Sequence, residues 1–283
     1  MRLRHLALAA FVAMTFLAAP ASAQFVPDDL SQRVVEAGEG STYLNLIALA
    51  FPGGVRDGDE YHAPEAFQLR HISDDPDRDE TVAAGTLLTA PGVLLVRSEG
   101  HKRLAMLLGL GQPEDSAEGI AALALFDIDG KPKLLDLANV SYDRETGFFD
   151  PGTLTLRDGG ATLLIASTHS NSNQTYPTYV MIDLRGDRFS LIDTFFLLND
   201  NGCGFEHIQH PRFSATGSPK KPAIQITVTD ATTRRREDCD TLPLPQTGKR
   251  KISVTYEWEP RHRKYRRSSD ALERLAKEAT ERL

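Results

Sequence analysis

The dominant pattern along the chain is a series of short apolar segments separated by glycine-bearing polar turns, and a long stretch of it occurs twice. The first copy begins at Pro91-Gly92 and reads PGVLLVRSEGHKRLAMLLGL; the second begins at Pro151-Gly152 and reads PGTLTLRDGGATLLIAST. Each continues through a polar segment into ALALFDIDGKPKLLDL (Ala122 to Leu137) or TYVMIDLRGDRFSLIDT (Thr178 to Thr194). Gly92 and Gly152 lie 60 residues apart, Met106 and Leu163 57, Asp127 and Asp183 56, and Asp136 and Asp193 57. A near-constant period of this size marks an array of supersecondary units.

In the second copy the pattern predicts strands over Thr153 to Arg157, Ala161 to Ser167, Thr178 to Leu184 and Arg188 to Phe195. Asp158-Gly159-Gly160 and Arg185-Gly186-Asp187 are the tight connections, because glycine reaches the positive φ that hairpin turns demand. Ser98-Glu99-Gly100 and Asp129-Gly130 serve the same purpose in the first copy. The second strand of each unit, LAMLLGL or TLLIAS, is apolar without alternation, which implies cover on both faces. A third unit follows the same grammar with strands over Pro222 to Asp230, Lys251 to Trp258 and Lys264 to Arg267. Its first strand falls near Phe205 to Phe213, where His210-Pro211 argues against regular pairing.

Before the repeats, Tyr43 to Phe51 and Ala66 to Ile72 read as strands around a Pro52-Gly53-Gly54 turn, a degenerate fourth unit, and Asp28 to Ala37 as a short helix. The chain ends in a helix: Asp270 and Glu273 form a capping box, Leu272, Leu275, Ala276 and Ala279 share one face, and Glu273 pairs with Lys277. The expected fold class is therefore all-β, with tandem four-stranded antiparallel meanders and a C-terminal α-helix. The meanders suit a small β-propeller-like arrangement or, alternatively, a β-sandwich. The boundaries are a leader over 1–23, an N-terminal segment over 24–85, repeat units at about 86–145, 146–200 and 201–267, and the helix over 268–283.

The leader assignment rests on Arg2 and Arg4, an apolar stretch from Leu6 to Ala19, and Ala21-Ser22-Ala23, the order of a secretory signal with a small-residue cleavage site near Ala23. The apolar part is too short and wrongly flanked to anchor in a bilayer, so a periplasmic or secreted protein without membrane insertion is expected. Cleavage would remove two arginines, leaving 30 basic against 39 acidic side chains. Acidic residues crowd 57–80 and basic residues 249–267, a segregation that solvated loops and strand faces explain. In an oxidising compartment the only two cysteines, Cys203 and Cys239, are expected to form a disulfide contributing about 3–4 kcal/mol.

Strand order also locates a site. If the first-to-second and third-to-fourth connections are short hairpins at one end, the longer polar segments all emerge at the other. These are Gly109 to Gly119, Tyr142 to Phe149, Thr168 to Pro177, Asn199 to Gly204 and Asp230 to Lys249, and both cysteines fall among them. Loops on a rigid scaffold are the usual seat of function. The segment THSNSNQTYPTY supplies His169, Asn171, Asn173, Gln174 and Tyr176, able to hydrogen-bond a polar ligand, although Ser and Asn also make local turns of their own.

Glu206, His207 and His210 have the composition of a metal site, but a three-residue spacing on a strand sends the two imidazoles to opposite faces. Asp127-Ile128-Asp129-Gly130 starts like a calcium loop without its later ligands and is explained by a hairpin; His71 to Thr81 reads as an acidic link. No GxSxG elbow, phosphate-binding glycine loop or HExxH is present, and no cofactor is expected. Ser170 and Ser172 neighbour His169, yet adjacent side chains on an extended segment point apart. The basic hairpin with Tyr256, Trp258 and Tyr265 could stack on a nucleic acid or glycan, but Glu257 and Glu259 interleave with it and no nucleic-acid partner is expected. The expected function is an exported, non-catalytic binding protein whose rim takes a polar small molecule, glycan or protein. The alternative is a hydrolase or metal-dependent enzyme with a His/carboxylate site on the same rim.

Overall fold

The computed structural model describes residues 26–281 except 28, 35–36, 38–39, 58–59, 90–91, 114–115 and 236–243. The segment expected to be a leader, residues 1–23, lies outside the described residues, as does Cys239. Helix α1 (Tyr43–Ala50) is followed by short strands β1 (Val55–Asp57), β2 (Glu60–His62), β3 (Phe67–Leu69), β4 (Glu80–Val82) and β5 (Leu87–Leu88). Three meanders follow. The first is β6 (Gly92–Ser98), β7 (His101–Gly109), β8 (Ala121–Asp127) and β9 (Lys133–Asn139). The second is β10 (Glu145–Thr155), β11 (Ala161–Ser170), β12 (Gln174–Asp183) and β13 (Ser190–Phe196). After the two-residue β14 (Asn199–Asp200), the third is β15 (Phe205–Ser218), β16 (Lys221–Arg234), β17 (Gly248–Glu259) and β18 (Lys264–Arg267), and α2 (Ala271–Thr280) closes the chain.

All strand pairings within the meanders are antiparallel, so the protein is all-β with tandem four-stranded meanders and a C-terminal helix. β14 pairs with the end of β12 and with β15, joining the second and third meanders into one nine-stranded sheet. The β8–β9 ladder shifts register between Leu125 and Phe126, and the β12–β13 ladder does so 56 residues later, between Met181 and Ile182. In each case the residue paired just before the shift is an aspartate, Asp136 or Asp193, and each aspartate reaches the next meander. Asp136 accepts from the Phe189 N–H at 2.7 Å, and Asp193 from the Tyr256 hydroxyl at 2.7 Å.

Three apolar cores alternate with the sheets. Leu104, Met106 and Leu108 of β7 pack toward α1 and the N-terminal strands, whereas Ala105 and Leu107 pack toward Leu163 and Ile165 of β11. Leu164 and Met181 then face Ile224, Ile226 and Val228 of β16, with Leu272 and Leu275 of α2. Covered on both faces, the central strands need no alternation, which accounts for their uniformly apolar sequences. Among the described residues no core joins the third meander back to the N-terminal segment, so the layers form an open stack. No helix among them is long and apolar enough to cross a membrane.

Several local expectations are corrected. Tyr43–Ala50 is a helix, because Tyr43, Leu46, Ile47 and Ala50 recur at helical spacing and Thr42 with Asn45 forms a capping box. The N-terminal segment is consequently a helix with small two- and three-stranded sheets and no fourth meander. The described part of 28–37 forms turns and an isolated bridge from Arg33 to Thr42. β15 runs unbroken through Pro211, which pairs with Val228. Two residues earlier Gln209 sends its N–H away from β16 to Asn199, so proline on the same alternation costs the ladder nothing. In α2, Asp270 makes no capping bond; it pairs with Arg274, and Glu273 pairs with Arg267. The acidic link from His71 to Thr81 contains a 3-10 turn over Pro76–Arg78 and the start of β4.

Candidate functional site

The wedges between successive meanders are apolar along their middle and polar at both ends. At the end carrying the β11–β12 turn, the first wedge finishes in a chain of hydroxyls. Ser141 Oγ lies 3.0 Å from Thr146 Oγ1, which lies 2.8 Å from Ser167 Oγ, and Ser167 accepts from the Tyr142 N–H at 3.0 Å. Two residues along β11 the same face presents His169, whose Nδ1 lies 2.6 Å from Asp143 Oδ2. Its ring stacks on the Tyr176 ring at 4.5 Å between centroids with 15° between planes. Phe196 extends the row on the far side of Tyr176, at 6.3 Å and 23°. Register explains the row: His169 pairs directly with Tyr176, and Phe196 with Thr178, two residues along β12 on the same face.

Asp143 is the member of this cluster that sequence reasoning passed over. It sits in the unit-to-unit link, with its side chain 14% exposed against 35% for His169. Beyond Asp143, the His169 ring makes no hydrogen bond among the described residues. Behind it, His71 is buried, with Nε2 3.1 Å from the Ser141 carbonyl oxygen and its ring edge-on to Tyr142 at 4.9 Å. Burial lowers the His71 pKa, which favours a neutral imidazole there. Arg78 covers the Tyr142 ring at 4.7 Å, and burial pushes the Tyr142 phenol up to about 12.

The remaining rim residues come together but largely satisfy one another. The long loop expected over Thr168 to Pro177 is a tight hairpin, since β11 continues to Ser170 and β12 begins at Gln174. Asn171 Oδ1 accepts from the N–H groups of Asn173 at 3.0 Å and Gln174 at 2.8 Å, an Asx-type turn that closes the hairpin. Its Nδ2 donates to the Tyr176 hydroxyl at 3.0 Å, and that hydroxyl donates to Gln174 Oε1. Ser170 Oγ bonds Thr175 Oγ1 across the strands rather than the His169 ring. Asn171 and Asn173 therefore hold the turn, whereas His169, Tyr176 and Asp143 form the accessible cluster.

The second wedge ends at the same rim in another imidazole–carboxylate pair, this one buried. His207 Nε2 lies 3.2 Å from Asp230 Oδ1, its Nδ1 lies 2.8 Å from Thr232 Oγ1, and Arg250 Nε reaches Asp230 at 2.7 Å. The expected metal set of Glu206, His207 and His210 is corrected. Alternation along β15 buries His207 and exposes His210, while Glu206 pairs with Arg235 at 2.5 Å. Among the described residues no three His, Cys, Asp or Glu side chains converge as a metal site. Cys203 lies in the turn before β15, and the Arg235 N–H donates to the neighbouring Gly204 carbonyl at 2.9 Å.

At the opposite end each wedge is closed by an arginine. Arg103, 9% exposed, bonds Asp127 and reaches across to Asp187 at 3.0 Å. Arg185, 10% exposed, lies 4.0 Å over the Trp258 ring, donates to the Tyr265 hydroxyl at 2.8 Å and to Asp158 at 2.7 Å, and stands 3.4 Å from Asp183. Asp183 is so enclosed that burial pushes its carboxyl up to about 6 despite this partner.

Fold and site together define an open stack of antiparallel meanders with a polar, aromatic rim. No family model, curated protein or solved structure matches the chain.

Proposed function

We propose that this is an exported, non-catalytic binding protein that takes a carbohydrate or similar polar ring at the rim formed by Asp143, His169 and Tyr176. The observation that carries the reading is the row of stacked rings beside a carboxylate-held imidazole. The outer face of the His169 ring suits the apolar face of a sugar, while its Nε2 suits a sugar hydroxyl. Export is supported by the leader-like order of the first 23 residues. In calorimetric titration against neutral oligosaccharides of glucose, galactose and N-acetylglucosamine, at least one binds saturably. His169→Ala and Tyr176→Ala each weaken it about tenfold, which is ~1.4 kcal/mol. No saturable binding, or binding indifferent to both substitutions, overturns the proposal.

One observation favours a second reading, hydrolysis: Asp143 and His169 have the geometry of an oriented general base. No hydroxyl or thiol contacts the His169 ring among the described residues, so the pair lacks a nucleophile and would have to activate water. Release of reducing sugar that disappears in His169→Ala would establish this reading over the first.

A further inference from the structure

The opposite end of the second wedge holds a feature that rim binding does not use. A cavity of about 260 Å³ opens between the β12–β13 turn and the β17–β18 turn, lined by Asp74, Asp183, Arg185, Arg188, Trp258 and Arg263 among others. Three guanidinium groups from two different meanders meet two carboxylates there. Arg185 is committed to Asp158, Asp183 and Tyr265, as described above. Arg188 is exposed and shares Asp74 with Arg70, each at 2.9 Å. Arg263 has no carboxylate partner among the described residues. One cation lining the cavity is thus uncompensated, and a second shares its anion.

Backbone conformation singles out the same cavity independently. Among the described residues only Asp74, Glu99 and Arg263 are non-glycine residues with positive φ, and Asp74 (54°) and Arg263 (50°) both line this cavity. The left-handed region is disfavoured by the Cβ of L-residues, aspartate tolerates it better than most, and the strain therefore falls on Arg263; such strain tends to collect where a site requires it. A glycine at 263 would fit the turn without strain but would leave the cavity one cation short.

We propose that this cavity is an oxyanion-binding site, accepting a carboxylate or phosphate group of a small ligand between Arg188 and Arg263 with the Trp258 ring beside it. Forked guanidinium donors match planar and tetrahedral oxyanions alike. The site lies at the opposite end of the stack from His169 and in a different wedge, and its ligand is independent of the rim.

The test is titration of the purified protein with inorganic phosphate and with galacturonate, with galactose as the neutral control. Saturable binding of either anion but not of galactose is expected, and which anion binds tells a phosphoryl from a carboxylate ligand. Arg263→Gly and Arg188→Gln should each weaken it about tenfold through loss of a charge-assisted contact. Arg263→Lys, which keeps the charge but loses the fork, should fall between the parent and Arg263→Gly, and His169→Ala should retain all of it. Because Arg263→Gly relieves a left-handed arginine, its melting temperature should equal or exceed that of the parent, so lost binding cannot be put down to misfolding. Absence of saturable binding by both anions, equal binding of galactose by the His169→Ala protein, or binding unchanged in both arginine variants would overturn the proposal.

Discussion

Arg185→Ala should destabilise the protein severely and in a pH-dependent way. The substitution removes a guanidinium that is 10% exposed, two charge-assisted hydrogen bonds, to Asp158 and Tyr265, and a cation–π contact with Trp258 at 4.0 Å. Hydrogen bonds to charged groups contribute roughly 1.5–3 kcal/mol each when buried, and the ring contact about 0.5–2. Asp158 is only partly buried, which puts these losses near the low end, about 3–4 kcal/mol together. Asp183 adds a bounded amount. Its carboxyl already titrates at about 6, so taking up a proton at pH 7 costs only ~1.4 kcal/mol, which caps the penalty of leaving it unpaired. The total is about 3–5 kcal/mol at pH 7 and about 1 kcal/mol less at pH 5, where Asp183 is mostly protonated in both proteins. Urea unfolding of parent and variant at the two pH values measures both numbers, and in the Asp183→Asn background Arg185→Ala should cost about 1 kcal/mol less at pH 7 than it does in the parent. A loss under about 1 kcal/mol, or a larger loss at pH 5 than at pH 7, would refute the idea that Arg185 clamps the second meander to the third.

Other positions give sharp expectations as well. Gly152 has φ 73°, and a Cβ there would stand 2.8 Å from Leu94 Cδ1 of the first meander, so Gly152→Ala should cost about 2–4 kcal/mol in urea unfolding. Gly147→Ala on the same strand, where a Cβ meets nothing, should cost under about 0.5 kcal/mol. Asp183 holds its proton more tightly in the fold than in the unfolded chain. Its contribution therefore falls as pH rises from about 4 to about 6, by roughly 2–3 kcal/mol, and Asp183→Asn should flatten stability across that window. Cys203 and Cys239 should resist alkylation until reduced, as the approach of Arg235 to Gly204 suggests; ready alkylation of native protein would contradict the bond.

The meanders were legible because two independent signals coincide in them. Glycine and aspartate mark the turns, and apolar runs too short for helices mark strands covered on both faces. α1 resembles a strand in sequence because YLNLIALAF is apolar almost throughout, which masks its period; only Thr42 and Asn45, a capping pair, distinguish it from a buried strand. The rim hairpin is obscured for the opposite reason. Its polar residues resemble a loop, but Asn171 turns the chain locally and lets both strands run on to Ser170 and Gln174. His169 and Tyr176 could be chosen from the sequence, whereas Asp143 could not, because 26 residues separate it from His169 and only the stacking of one meander on the next brings them together. The arginine clamps were hidden likewise: Arg185 reads as a turn residue, and nothing local announces Trp258 and Tyr265 as its partners.

The central claim is that the rim of the first wedge is a binding surface, and amide chemical-shift mapping during titration with the best-binding oligosaccharide tests it most directly. Saturable shifts should concentrate at Asp143, His169, Gln174 and Tyr176, with Arg185, Arg188 and Arg263 unmoved. Shifts confined to other parts of the stack, or none at saturating ligand, would contradict it.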